Sequence, residues 1–119
     1  MAEIKWYSSR NNRAKYAESN ALLYIPAEYV DPEKSKSNII KVKIGIDSQN
    51  KRLILHYSDS PFKGIDLRKP KTAHEGTAYK ISLGFIPQSE LPLTNGYYDI
   101  KTKVDELEID FSKTYKSKN

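Results

Sequence analysis

Two histidines, His56 and His74, and one dense acidic group, Asp105, Glu106, Glu108 and Asp110, carry the side chains best suited to proton or metal chemistry in this 119-residue chain. Phosphodiester hydrolysis holds metal ions between clustered carboxylates, so the acidic group is the first candidate. Its spacing argues for a plainer role. Glu106, Glu108 and Asp110 alternate with Leu107, Ile109 and Phe111, the period of two of a strand with one wet face. Just before it, Tyr98, Ile100 and Val104 alternate with Asp99, Lys101 and Lys103, and Asn95-Gly96 is a turn signal. A tight turn near Asp105 makes the two segments a hairpin. Glu108 and Asp110 then face Lys101 and Lys103, and cross-strand ion pairing accounts for the acids. The histidines have no metal-ligand spacing, and Asp66 and Glu75 stand alone. No H-E-x-x-H, G-x-S-x-G, phosphate-binding loop or G-x-G-x-x-G occurs. Cysteine is absent, which excludes disulfides, thiolate zinc sites, iron–sulfur clusters and cysteine nucleophiles together. The chain reads as a binding protein without catalytic residues, metal or cofactor.

The residues left over suit a different chemistry. Lys and Arg total 20 against 15 Asp and Glu, a net charge of +5, and nine Tyr, three Phe and one Trp supply the rings. Tyrosine has an apolar body and a polar tip, suited to half-wet surfaces. Near the N-terminus rings and cations interleave: Trp6 and Tyr7, then Arg10, Arg13, Lys15 and Tyr16. The middle of the chain repeats the mixture with Phe62-Lys63, Arg68-Lys69, Lys71 and Tyr79-Lys80. Single-stranded nucleic acid is bound by this combination, because cations track phosphates while rings stack on bases for roughly 1–3 kcal/mol each. Trp6 and Tyr7 are adjacent, so on a strand they point to opposite faces and one of the two rings is expected to be accessible.

The elements that must position these residues are strands. In Asn38–Asp47, Ile40, Val42, Ile44 and Ile46 share one face, and Ile39, Lys41 and Lys43 the other. After Asp47-Ser48-Gln49-Asn50, Leu53, Leu55 and Tyr57 point inward, and Arg52, Ile54 and His56 outward. The pair predicts a hairpin whose outer face carries Lys41, Lys43, Arg52 and His56 and no acid of its own. Like charges across a strand pair repel, so such a face either stays solvated or meets a polyanion. Glu3–Ser9, Asn20–Pro26 and Thr77–Ile86 also read as strands, with Gly84 a bulge. Ala27–Val30 and Gln88–Leu91 suit a short helix or turn. Ser8–Ser19 and Ser58–Gly76 read as long basic loops. The whole predicts an all-β domain over residues 1–112, a small OB-like barrel of five to six strands. Residues 113–119 form a short, basic, disordered tail. Apolar runs are too short for a membrane helix or a signal peptide, which predicts a cytoplasmic protein.

The layout resembles the small phage-encoded single-stranded DNA-binding proteins of the OB-fold type: a basic chain, strand-rich from Ile4 to Phe111, with a basic central hairpin and aromatic-basic flanks. The resemblance implies sequence-nonspecific binding that protects or presents single strands during replication or recombination, in the host cytoplasm if the chain is viral. It implies single-stranded DNA and replication or recombination proteins as partners, and exposed strand edges add a homodimer or higher oligomer. Bacterial members usually end in an acidic tail, whereas the residues after Ser112 are basic. A second likeness competes. Ser19–Glu28, with Ile25-Pro26, is echoed by Phe85-Ile86-Pro87-Gln88-Ser89-Glu90, and both are similar to the strand and Ile-Pro step of swapped-hairpin antitoxins and transition-state regulators, which bind duplex DNA. The Gly-Asp step expected before the hairpin is missing from both copies. A small protein-binding inhibitor module is the third class.

Overall fold

A computed structural model describes residues 1–8, 19–69, 78–83 and 95–116; for residues 5–8 and 19–21 it gives the backbone alone. Eight strands follow one another: β1 (Ala2–Ser8), β2 (Ser19–Pro26), β3 (Ile39–Asp47), β4 (Arg52–Tyr57), β5 (Ile65–Arg68), β6 (Ala78–Ser82), β7 (Gly96–Lys103) and β8 (Glu106–Tyr115). They close into one barrel in the order β1-β2-β6-β5-β3-β4-β8-β7, every pair antiparallel. Four sequence-adjacent pairs, β1–β2, β3–β4, β5–β6 and β7–β8, therefore lie side by side as building blocks. The link from β2 to β3 passes β6 and β5 and holds two short 3₁₀ turns, Ala27–Tyr29 and Lys34–Lys36.

Alternation decides what fills the barrel. Ile40 and Val42 of β3, Leu53, Leu55 and Tyr57 of β4, and Leu107, Ile109 and Phe111 of β8 are buried. Leu23 and Ile25 of β2, Leu67 of β5 and Tyr79 and Ile81 of β6 belong to the same core, and among the described residues none that is buried is charged. Because one face is apolar, a one-residue slip in any strand would expose its whole inward set, and this fixes the register.

The all-β barrel agrees with the sequence reading, but the strand count is eight rather than five or six. The largest omission is β5, which lies inside the stretch read as a loop. Four residues are too few to establish a period, and Gly64 and Pro70 flank them. β8 continues to Tyr115, three residues into the segment read as tail, since Tyr115 still pairs with Tyr97 of β7. Val104 does not share the Tyr98 face. It forms the β7–β8 turn with Asp105, at φ +64°, and is 90% exposed. Closure also gives every strand two neighbours, which removes the edge argument for an oligomer.

Closure needs glycine at one seam. Gly96 opens β7 opposite Ile4 of β1 at φ +148°, and a Cβ there would lie 2.5 Å from Thr114 Cγ2 and 2.9 Å from the Tyr115 carbonyl oxygen. A side chain would therefore push β7 off β8 in a backbone conformation that L residues rarely adopt.

Candidate nucleic-acid interface

The outer surface divides into two walls of different charge. On the β4–β8–β7 wall, Arg52 Nε lies 3.3 Å from Glu108 Oε1 and its Nη1 2.8 Å from Asp110 Oδ1. Lys103 Nζ lies 2.6 Å from Glu108 Oε2, and this carboxylate holds the Lys103 ammonium above the usual lysine range. His56 Nδ1 lies 3.8 Å from Glu106. Glu108 and Asp110 are thus taken up by ion pairs, as the alternation predicted, while Asp105 forms the turn; the main partner is different from the one expected. β4 lies beside β8, so Arg52 rather than Lys101 reaches Glu108 and Asp110. For the same reason Arg52 and His56, expected on an unbalanced basic face, sit among carboxylates.

The β3–β5–β6 wall is not balanced. Lys41 and Lys43 point outward from β3, Asp66 and Arg68 from β5, and Lys80 from β6, so four cations stand against one carboxylate. Asp47, at the far end of β3, is turned into the hairpin, accepting from Asn50 N at 3.1 Å and Asn50 Nδ2 at 2.8 Å. Lys41 is directly opposite Asp66 and contacts its carboxylate, and Arg68 Nη2 reaches Asp66 Oδ2 at 2.6 Å. Lys41 and then Arg68 hold the Asp66 carboxyl below the usual carboxylate range. Lys43 and Lys80 are exposed and make no ion pair with any described residue.

The fold opens this wall at one seam. Among the described residues β5 and β6 share a single register pair, Arg68 with Lys80, while β3 meets β5 from Ile39 to Val42. Gly64, at φ +122°, lies flat on β3, where a Cβ would come 2.8 Å from the Val42 carbonyl oxygen. A groove of about 460 Å³ results, lined by Leu22, Lys41, Gly64, Ile65, Asp66, Arg68, Lys80 and Ser82. Arg68 and Lys80 face each other across it, an opposition of like charges that costs a few tenths of a kcal/mol unless an anion lies between them.

An exposed ring lies two residues before Gly64 of the groove wall. The Ser58–Gly64 segment is folded by short hydrogen bonds: Ser60 N donates to Ser58 Oγ at 3.2 Å and Phe62 N to Ser60 Oγ at 3.2 Å. It presents Phe62, 88% exposed, with Lys63 beside it and Gly64 on the groove wall. A phenylalanine this exposed gains no burial energy in the free chain, so its face is available to a ligand.

The other predicted site residues are distributed as follows. Tyr79 is not at the surface. Its ring is fully buried, and its hydroxyl lies 2.6 Å from Ser37 O and 3.2 Å from Ser35 O. It shares its strand face with Ile81 and Leu83, both buried, and that parity was readable in T-A-Y-K-I-S-L. Burial also raises the Tyr79 phenol above its ordinary pKa. Lys69 is half-buried, 5.3 Å from the Tyr79 ring centre and 3.5 Å from Ser35 O. It braces the core rather than the groove. The backbone of Trp6 and Tyr7 lies in β1 opposite Ala21 and Asn20, and their side chains lie outside the described residues. Arg10, Arg13, Lys15, Tyr16 and Lys71 also lie outside them, as does the Phe85–Glu90 echo. Asp66 was read as an isolated acid, because only the β3–β5 pairing brings Lys41 to it.

A larger cleft of about 670 Å³ occupies the barrel end between Tyr29, Val30, Tyr57 and Leu107. Its charged lining is Glu28, Asp31 and Lys103, the last already paired, so it does not suit a polyanion. No helix among the described residues is long and apolar enough to cross a membrane. Compared with protein-family models, curated proteins and solved structures, the chain matches none.

Proposed function

We propose that the protein binds single-stranded DNA with little sequence preference, laying the strand along the groove at the β5–β6 seam. The observation that carries this reading is an unbalanced cationic wall, Lys41, Lys43, Arg68 and Lys80, whose groove is lined by Gly64, two residues along the chain from the exposed ring of Phe62. Cations at the β5–β6 seam take phosphates, and Phe62 takes the face of a base. Each part alone is ordinary. Together they match what a single strand offers, a line of charge with unstacked rings hanging from it. A groove of this kind reads backbone and base faces rather than base edges, hence the weak sequence preference. The OB-type comparison rests on a barrel with one basic face. Those barrels have five strands and this one eight, so the likeness is of surface and not of strand order. A role in protecting or presenting single strands during phage replication or recombination, in the cytoplasm, with replication or recombination proteins nearby, belongs to this proposal.

The test is a titration of the fluorescence of Trp6, the one tryptophan, with oligo-dT and with a duplex of matched length. Oligo-dT is expected to bind more tightly than the duplex at every salt concentration. Phe62→Ala is expected to weaken oligo-dT binding about tenfold, the lower part of the range for one stacked base, and to leave the unfolding midpoint unchanged. Preference for duplex, with Phe62→Ala silent, would replace this reading with a duplex-binding regulator. Binding to neither would point to a protein partner.

A further inference from the structure

We propose that Asp66 is a resident counter-ion that limits how tightly the seam groove holds a polyanion; this rests on reading the groove as a phosphate-binding surface. Among the described residues lining the groove Asp66 is the one carboxylate, and it engages two of the three cations there, Lys41 by direct contact and Arg68 at 2.6 Å. Lys80 is the third, with no described partner. An incoming phosphate must therefore compete with the Asp66 carboxylate for Lys41 and Arg68, and only Lys80 is available at no cost.

The Arg68 side chain is 61% exposed, and an ion pair at such exposure contributes little to folding. Lys41 and Asp66 are 27% and 25% exposed, so theirs is the pair that supports the β3–β5 pairing. The carboxylate also acts on the field: Lys41 and Arg68 would otherwise add to Lys43 and Lys80 in one positive strip, and Asp66 offsets part of that charge. A single-strand binder that must also release its strand gains faster exchange from such an internal competitor. Affinity is given up for turnover.

The experiment measures binding of fluorescent oligo-dT and of inorganic polyphosphate by the intact chain and by its Asp66→Asn variant, from 50 to 300 mM salt. Asn keeps the shape and an acceptor for Arg68 and removes the charge. Each phosphate contact regained should tighten binding about eightfold at 50 mM salt and steepen the log–log salt dependence by about 0.7. Arg68→Ala should cost more affinity in the Asp66→Asn background than in the original chain, because Arg68 is then free to meet phosphate. Tighter, steeper binding of both probes supports the proposal. Tighter polyphosphate binding with no oligo-dT binding by either form upholds the counter-ion role and removes the single-strand reading. Unchanged or weaker binding of both probes overturns the proposal. Asp66→Ser, measured in parallel with thermal melting, separates a loss of charge from a loss of fold, and the same criteria apply to it.

Discussion

Reversing both charges at the seam, Arg68→Glu with Lys80→Glu, is expected to weaken oligo-dT binding by about eightfold or more at 50 mM salt. The estimate counts the loss of the Lys80 contact alone, worth about eightfold at that salt through counterion release, because Asp66 already holds Arg68. It is a lower bound, since the new carboxylates also repel the strand. The log–log salt dependence should become shallower by about 0.7 or more. Lys80 is exposed and its reversal should leave the fold unchanged, while Arg68→Glu gives up an ion pair at an exposed side chain, a loss of about 1 kcal/mol or less, and adds a like charge beside Asp66. The control lies on the opposite wall. Lys101 is exposed on β7 and equally basic, yet it stands opposite Glu108 in register, among carboxylates. Lys101→Glu is expected to leave oligo-dT affinity within twofold. Anisotropy titrations at three salt concentrations check both. Equal losses at the two walls would mean that net charge, and not the groove, governs binding.

Tyr79→Ala is expected to destabilise the barrel by about 3–5 kcal/mol, the range for removing a fully buried aromatic ring. The ring sits between the inward residues of β6 and the chain linking β2 to β3, and its hydroxyl is tied to the Ser37 carbonyl at 2.6 Å. Tyr79→Phe isolates that hydroxyl. It leaves the Ser37 carbonyl short of one partner and is expected to cost about 1–2 kcal/mol. Lys80 and Arg68 point the other way, so Tyr79→Phe should bind oligo-dT as the unaltered chain does. Urea midpoints give the stabilities and the same anisotropy assay gives the binding. A specific loss of affinity in Tyr79→Phe at full stability would return this ring to the interface, where its sequence context of Tyr-Lys had placed it.

Much of the barrel could be read from alternation. The β3–β4 and β7–β8 hairpins are written as runs of period two, and their inward sets are buried as read except Ile44, Ile46 and Ile100, which are partly buried, and Val104, which is exposed at the turn. Local pattern cannot say which hairpin lies beside which. That is a matter of long-range pairing, and it decided the site. β8 beside β4 put Glu108 and Asp110 onto Arg52, which neutralised a face that looked basic when the hairpin was considered by itself. β5 beside β3 put Asp66 onto Lys41. β5 was invisible because four residues between a glycine and a proline carry no period. Phe62 and Lys63 were legible as a ring and a cation, and the exposure of Phe62 follows from the short turns of Ser58 and Ser60. Tyr79 was misplaced for a simpler reason: its neighbour Lys80 drew attention, while its parity with Ile81 and Leu83 already placed it inside.

The central claim is that a single strand lies in the groove at the β5–β6 seam. Backbone amide chemical shifts, followed by NMR as oligo-dT is added, test it most directly. The account predicts that the largest shifts fall on Lys41, Lys43, Phe62, Lys63, Gly64, Asp66, Arg68 and Lys80, with β7 and the start of β8 nearly still. Shifts concentrated on the β4–β8–β7 wall, or spread evenly over the barrel, would contradict it.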